Sequence, residues 1–201
     1  MFEKKLAWIA LALFLGIGVG QTLPSKPSEP KSIGDFFLLD PVTHDLKDLP
    51  VEAFKFHIEQ TRVSRDNPRS NCCVIMTGIE LPGSDSPFHI AVNDKTQFIF
   101  KAEAPEQARL FLLTVNAKKH YRSCILVSSK SEGVMGLHRN SDWEPGIGVD
   151  ITKFGDSSYK LTPQQPLGPG EYALLIGENV RKNSTKIFTF ALSGLAQQPN
   201  P

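Results

Sequence analysis

The sequence lacks most of the short motifs that carry chemistry. It has no His-Glu-x-x-His or Cys-x-x-Cys pair for zinc, no Gly-x-Ser-x-Gly elbow and no glycine loop for phosphates or dinucleotides. None of the five histidines is spaced from another like a zinc ligand. We therefore predict no catalytic residue, no metal and no cofactor, and expect a protein that is not an enzyme.

An excess of charge of one sign is also missing. The 201 residues include 22 Lys and Arg against 21 Asp and Glu. Nucleic-acid-binding domains normally carry a basic patch or stripe, so we expect no nucleic-acid partner. Hydrophobic residues make up 40% of the chain, which is enough for one ordinary globular core.

Helical periodicity is nearly absent after residue 33. Short alternating runs such as residues 97–103 (QFIFKAE) and 186–192 (KIFTFAL) recur instead, separated by clusters of Gly, Pro, Asn and Asp. This pattern predicts one all-β domain over residues 34–193, an antiparallel β-sandwich with a barrel as the alternative. Residues 60–71 and 129–146 are predicted to be long loops, and residues 194–201 a disordered tail.

The N-terminus has the composition of an export signal. Lys4 and Lys5 precede an uncharged, mostly apolar run that ends in small residues at 18–20. This run is shorter than the roughly 20 residues of a transmembrane helix, so residues 1–20 read as a signal peptide, with an uncleaved N-terminal anchor helix as the alternative. A Pro- and Ser-rich linker follows over residues 21–33. We expect a periplasmic or extracellular protein that meets the membrane only through this segment, if it is uncleaved.

Cysteine is scarce, with Cys72, Cys73 and Cys124 as the full set. Exported proteins can form disulfides. Adjacent Cα atoms lie about 3.8 Å apart, below the roughly 4.4–6.8 Å of ordinary disulfides, so a bridge would join Cys124 to one of the pair. Cys73–Cys124 is the candidate pair, and the choice between Cys72 and Cys73 as the partner of Cys124 stays open. The alternative is that all three are free and packed as small hydrophobes in strands.

The predicted loop over residues 129–146 is the best candidate for an interaction surface. It places Met135, Leu137 and Trp143 among charged residues. Loops on a rigid sandwich often carry recognition, and tryptophan is favoured at the centre of interfaces. The alternative is that Trp143 folds under its own loop and covers the edge of a sheet.

Residues 167–172 (LGPGEY) form the most patterned stretch. Pro169-Gly170 is a turn dipeptide. In the run that follows, the even-numbered and odd-numbered positions of residues 172–176 are both apolar, which predicts a central strand buried on both faces. The stretch resembles the tyrosine corner of immunoglobulin-like and fibronectin-type-III-like sandwiches.

That resemblance implies an immunoglobulin-like sandwich. Residues 159–163 would be strand E, residues 171–177 strand F and residues 186–192 strand G. It also implies that Tyr172 is buried, with its hydroxyl bonded to the backbone of the corner. It implies nothing about a ligand.

A broader pattern resembles uncharacterised exported bacterial proteins with a Y-x-L-D-P-x-T-G-x-L opening and an L-x-P-G-E-Y-A-L close. Here Phe37 takes the tyrosine position and His44 the glycine position. The resemblance implies an exported β-rich domain of unassigned role. From the absence of catalytic motifs and from the fold-level analogy, we predict a non-enzymatic binding or structural module of the cell envelope, whose partner is an unknown protein or glycan there. Two alternatives are an envelope-associated hydrolase with a loop-borne site and a subunit that contributes a strand edge to an envelope assembly.

Overall fold

The computed structural model describes residues 29–64, 71–92, 96–132, 138–177 and 185–194. This part of the chain is all-β and contains no α-helix, as predicted; residues 1–20 lie outside it. No helix within it is long and apolar enough to cross a membrane. The strands are β1 (Phe36–Leu39), β2 (Leu46–Asp48), β3 (Val51–Glu52), β4 (Lys55–Ser64), β5 (Asn71–Pro82), β6 (His89–Ala91), β7 (Phe98–Phe100), β8 (Ala108–Asn116), β9 (Tyr121–Glu132), β10 (His138–Trp143), β11 (Val149–Phe154), β12 (Ser158–Pro163), β13 (Gly170–Ile176) and β14 (Ile187–Ser193).

The described strands form two sheets. The smaller has the order β11-β12-β7-β1-β2, and the larger has β3-β14-β13-β8-β9-β5-β4, with β10 also paired to β9 and β6 to β14. All of these pairs are antiparallel except β6–β14. Antiparallel sheets of this kind form when alternating side chains give each strand an apolar face to bury.

The first core lies between the two sheets. Phe36, Phe98 and Phe100 project from the smaller sheet and Tyr172 and Phe190 from the larger one. The rings of Phe98 and Phe190 lie 4.9 Å apart, and those of Tyr172 and Phe190 5.2 Å apart. These aromatic contacts join the sheets across the sandwich, because large rings bury the most apolar area per residue.

The larger sheet curls on itself. Its end strands β3 and β4 are separated in the chain by only Ala53 and Phe54, so Glu52 and Lys55 lie within about 11 Å. The second core fills the inside of this curl with side chains from neighbouring strands, among them Ile79, Phe111 and Leu126. The two end strands of the sheet order therefore come close together at this point, beside the apolar interior of the curl.

Strand β13 serves both cores. Tyr172 and Leu174 face the first core, whereas Ala173 and Leu175 face the second. All four are buried, and the strand lies between β8 and β14. The prediction of a central strand buried on both faces is confirmed.

Two segments predicted to be loops are instead strand hairpins. β4 and β5 pair from Lys55–Glu80 to Ser64–Asn71, and β9 and β10 pair from Val127–Trp143 to Glu132–His138. The loop predictions over residues 60–71 and 129–146 were wrong at residues 60–64, 71, 129–132 and 138–143, which lie in strands, whereas residues 65–70 and 133–137 lie outside the described residues. These strand ends are rich in Ser, Asn, Arg and Asp. Polar residues such as Asn and Asp have low strand propensity, and the two hairpins are joined by the β5–β9 pairing, whose strands are distant in the sequence.

Glu29 joins the segment before β1 to the turn between β11 and β12. Its carboxylate accepts hydrogen bonds from the backbone N–H groups of Asp156, at 2.7 Å, and Ser157, at 2.9 Å. The hydroxyls of Ser157 and Ser158 also donate to it. These bonds, that of the Asp156 N–H first among them, lower the pKa of Glu29 from 4.5 to about 2. This end of the predicted linker thus contacts the domain.

We expect Glu29→Gln to remove a pH-dependent part of the stability. The folded-state pKa of Glu29 lies below the unfolded value of 4.5, so its ionised form stabilises the fold above about pH 4.5 and this contribution is lost as the pH falls towards 2. The difference in unfolding free energy between the wild type and the variant, measured with urea, should be larger at about pH 7 than at about pH 3. A difference that stays constant between these pH values would contradict the assignment.

Candidate functional site

Arg122 lies at the centre of a buried polar cluster at one end of the curl. Its side chain, on β9, is 0% exposed. One guanidinium nitrogen lies 2.7 Å from Glu52 Oε2, and another lies 3.3 Å from Glu171 Oε2. β3, β9 and β13 each supply one of these charged side chains because the curl brings the three strands around one interior.

Every donor of the Arg122 guanidinium is occupied. Arginine has five N–H donors in a planar fork. Besides the two carboxylates, they reach three acceptors at the end of β5 and just after it: Ser86 Oγ at 2.6 Å, the Pro82 carbonyl at 3.0 Å and the Gly83 carbonyl at 3.2 Å. No donor of Arg122 remains for a substrate or ligand, so this cluster closes the end of the curl as part of the scaffold.

The two carboxylates are also held by hydroxyl groups. The Ser86 hydroxyl donates to Glu171 Oε2 at 2.5 Å, and the Thr189 hydroxyl donates to Glu52 Oε1. Among the described residues, no buried side-chain nitrogen or oxygen lacks a hydrogen-bond partner. A fully satisfied network of this kind rigidifies the structure around it.

Sequence reasoning missed this cluster. Arg122 stands alone between Tyr121 and Ser123, and its partners lie 36 to 70 residues away along the chain. Lone charged residues in a strand normally face solvent. The available signal was that Arg122 shares a strand face with the apolar Leu126, four residues on.

A cleft of about 360 Å³ lies beside this cluster. Phe54, Leu81 and Pro82 give it an apolar floor, and Lys55 and Lys119 add positive charge. Glu80, also in the lining, has its carboxylate 3.3 Å from His57 Nδ1. The cleft is concave and mixed in polarity, as small-ligand sites are.

A second cleft, of about 400 Å³, lies between the segment before β8 and the β11–β12 hairpin. Its Arg109 donates to the backbone carbonyls of Glu106 and Ala108, and its Lys153 lies 4.6 Å above the Tyr159 ring. No serine, threonine or cysteine is among the described residues that line either cleft. Neither lining therefore supplies an acyl-transfer nucleophile of the usual kind.

Strand β4 presents an unpaired edge with exposed apolar side chains. It is the last strand of the larger sheet and, among the described strands, pairs only with β5. Phe56 is 41% exposed and Ile58 is 60% exposed. Their partners in the register, Ile79 and Thr77, are buried, so both apolar side chains lie on the inner face of the curl, at its open margin.

The predicted Cys73–Cys124 bridge is wrong. Cys73 lies opposite Ser131 and Cys124 lies opposite Ile79, so six residues of β5, about 20 Å, separate the two positions. Cys124 is a free thiol that packs against the second core, and burial raises its pKa to about 12. It therefore matches the alternative of a small hydrophobe in a strand. The side chains of Cys72 and Cys73 lie outside the described residues.

The predicted interaction loop is only partly described. Met135 and Leu137 lie outside the described residues. Trp143 lies on β10 opposite Val127 and packs, partly buried, against the second core. This position agrees with the alternative in which Trp143 covers the sheet, and differs from a tryptophan displayed on a loop.

Pro169, Gly170 and Tyr172 occupy the corner that leads into β13. Tyr172 is 4% exposed, and its hydroxyl donates to the Gly168 carbonyl at 2.7 Å. Burial raises the pKa of this hydroxyl. The ring is buried and the hydroxyl bonded to the corner backbone, as the tyrosine-corner resemblance implies.

The opening pattern over residues 37–46 forms a turn. Asp40 Oδ1 accepts hydrogen bonds from the N–H groups of Val42 and Thr43, which hold the pKa of Asp40 well below its usual value. His44, at the glycine position of the pattern, has a φ of 61°. Glycine adopts this left-handed conformation without strain. The pattern therefore encodes a tight turn between β1 and β2.

Neither a scan against protein-family models nor searches of the curated proteins and of the solved structures find a match for this chain. Among the described residues, no group of three or more His, Cys, Asp or Glu side chains is placed to hold a metal ion.

Proposed function

We propose that this protein is an exported, non-enzymatic binding or structural module of the cell envelope, built on an immunoglobulin-like sandwich. Its binding surface is the β4 edge, and its partner is an extended protein strand. The observation that carries the proposal is the exposure of Phe56 and Ile58 on an edge strand that, among the described strands, pairs only with β5. The signal-like N-terminus supports export.

The strand order supports the immunoglobulin-like assignment. In that fold, one sheet has the order D-E-B-A and the other contains G-F-C, extended in some domains by C′. The order β11-β12-β7-β1 follows the first pattern, and β14-β13-β8-β9 follows the second. The tyrosine corner then lies at the start of strand F, its usual place. On this assignment, β2 to β6 form an insertion between strands A and B, which supplies β4.

The length and regularity of the β4 edge support the addition of a partner strand. Sheet edges that must stay free are usually shortened, bulged or interrupted by proline. β4 is ten residues long, contains no proline and pairs with β5 in an unbroken register. An extended segment that joins such an edge gains main-chain hydrogen bonds, and alternate side chains provide specificity.

Photo-crosslinking tests this proposal. We expect a benzophenone amino acid at Ile58 to form a defined adduct with a protein in intact cells, because this side chain lies at the proposed contact. The same probe at Val42, which is 82% exposed in the turn after β1, serves as the matched control and should give no adduct. Adducts would be identified by mass spectrometry. Equal labelling at both positions, or none at either, would overturn the proposal.

A further inference from the structure

We propose that the strand which pairs with β4 is β4 of a second copy of this chain, antiparallel, with His57 on the two-fold axis. This inference depends on the binding edge proposed above and names its partner. The sequence of residues 55–59, KFHIE, carries the argument, because it is self-complementary when placed antiparallel to itself.

In this register, Lys55 of one copy lies opposite Glu59 of the other. Phe56 lies opposite Ile58, and His57 lies opposite its own symmetry mate. All five of these side chains are exposed, so none must leave another partner strand to take part. Opposite charges and aromatic–β-branched pairs directly across an antiparallel ladder are the favourable cross-strand combinations. A two-fold axis supplies each pair twice.

The neighbouring registers lack this match. If the register between the two β4 strands shifts by one residue, residues from opposite faces of the strands become paired. Charged side chains then lie opposite Phe56 and Ile58. A two-fold axis at Phe56 would bring Lys55 opposite His57, and an axis at Ile58 would leave Lys55 without Glu59. The register centred on His57 satisfies both the charged and the apolar pairs.

The proposed dimer also keeps apolar and polar side chains on separate faces of the joined sheet. A two-fold axis perpendicular to a sheet keeps each side chain on the face that it occupies in the single copy. Phe56 and Ile58 of both copies would form one apolar strip on the inner face. Lys55, His57 and Glu59 of both copies would lie on the opposite face, in solvent. The dimer would thereby cover the exposed apolar margin of the curl.

Cysteine crosslinking tests the axis. In the full chain, His57→Cys places two cysteines directly opposite each other, with Cβ atoms about 4.5–5.5 Å apart. In Lys55→Cys, the two cysteines are offset by four residues, about 14 Å. After oxidation with copper phenanthroline, we expect a covalent dimer on a non-reducing gel that is several-fold stronger for the position-57 variant. The unsubstituted chain gives the background from the native cysteines.

A charge exchange provides a second measurement by sedimentation. Lys55→Glu and Glu59→Lys should each weaken the dimer about tenfold, because each creates two like-charged pairs, whereas the double exchange should restore it. Equal crosslinking at positions 55 and 57, or a double exchange no better than the single ones, would overturn the dimer. If the chain is monomeric but Ile58 still crosslinks to another protein, the second copy is wrong and the proposed function stands. If Ile58 forms no adduct at all, both fail.

Discussion

Replacing Arg122 by methionine is expected to destabilise the folded protein by about 3–5 kcal/mol. The substitution leaves Glu52 and Glu171 without their cation inside the curl, where their side chains are only 14% and 9% exposed. It also removes the donors that bind the Pro82 and Gly83 carbonyls. Urea denaturation monitored by circular dichroism gives the loss in unfolding free energy.

Lys186→Met is the matched control. The Lys186 ammonium lies 2.7 Å from Asp35, the same distance as between Arg122 and Glu52, but the side chain of Lys186 is 47% exposed. Exposed pairs contribute about 0–1 kcal/mol. The combined variant Arg122→Met, Glu52→Gln and Glu171→Gln should recover much of the loss, since the unpaired charges are gone. Equal losses for Arg122→Met and Lys186→Met would show that burial does not set the energy of the cluster.

The second large effect is expected at the tyrosine corner. Tyr172→Ala should cost about 3–5 kcal/mol, as the removal of a buried aromatic ring does. The Tyr172 ring is stacked on Phe190 at an interplanar angle of 11° and lies in the first core. Tyr172→Phe keeps this ring and removes only the hydrogen bond to Gly168, so we expect it to cost about 0.5–1.5 kcal/mol.

Thermal and urea unfolding of both variants separate the two contributions. Tyr121→Phe is the control for loss of a hydroxyl, because the Tyr121 hydroxyl accepts a 3.3 Å bond from the Asn116 amide at a half-exposed site. That variant should lie within about 0.5 kcal/mol of the wild type. A Tyr172→Phe variant as stable as the wild type would mean that the corner hydrogen bond contributes nothing.

Local features of the fold could be predicted from the sequence where the residues of a short stretch determine its conformation without help from distant parts of the chain. Pro169-Gly170 favours a turn. The strand that follows has apolar residues at both its odd and its even positions, which predicts that both of its faces are buried. Short alternating runs without helical periodicity predict an all-β chain. These inferences need no knowledge of which strands pair.

The hairpin ends and the cysteine positions could not be predicted in this way. The polar residues at the ends of β4, β5, β9 and β10 resemble loop residues until a neighbouring strand holds them. A disulfide between Cys73 and Cys124 depends on register, and a shift of six residues along β5 decides against it. Register follows from the long-range pairing of the strands.

The sequence by itself determined the class of the protein: all-β and nearly neutral in charge, with a Pro169-Gly170 turn before a strand that is buried on both faces. Only the tertiary structure decided where Arg122 lies and which surface is open. The buried cluster exists because the curl brings Glu52, Arg122 and Glu171 from three distant strands into one interior. The β4 edge exists because the strand order ends there. Both depend on non-local pairing, which composition and periodicity do not encode.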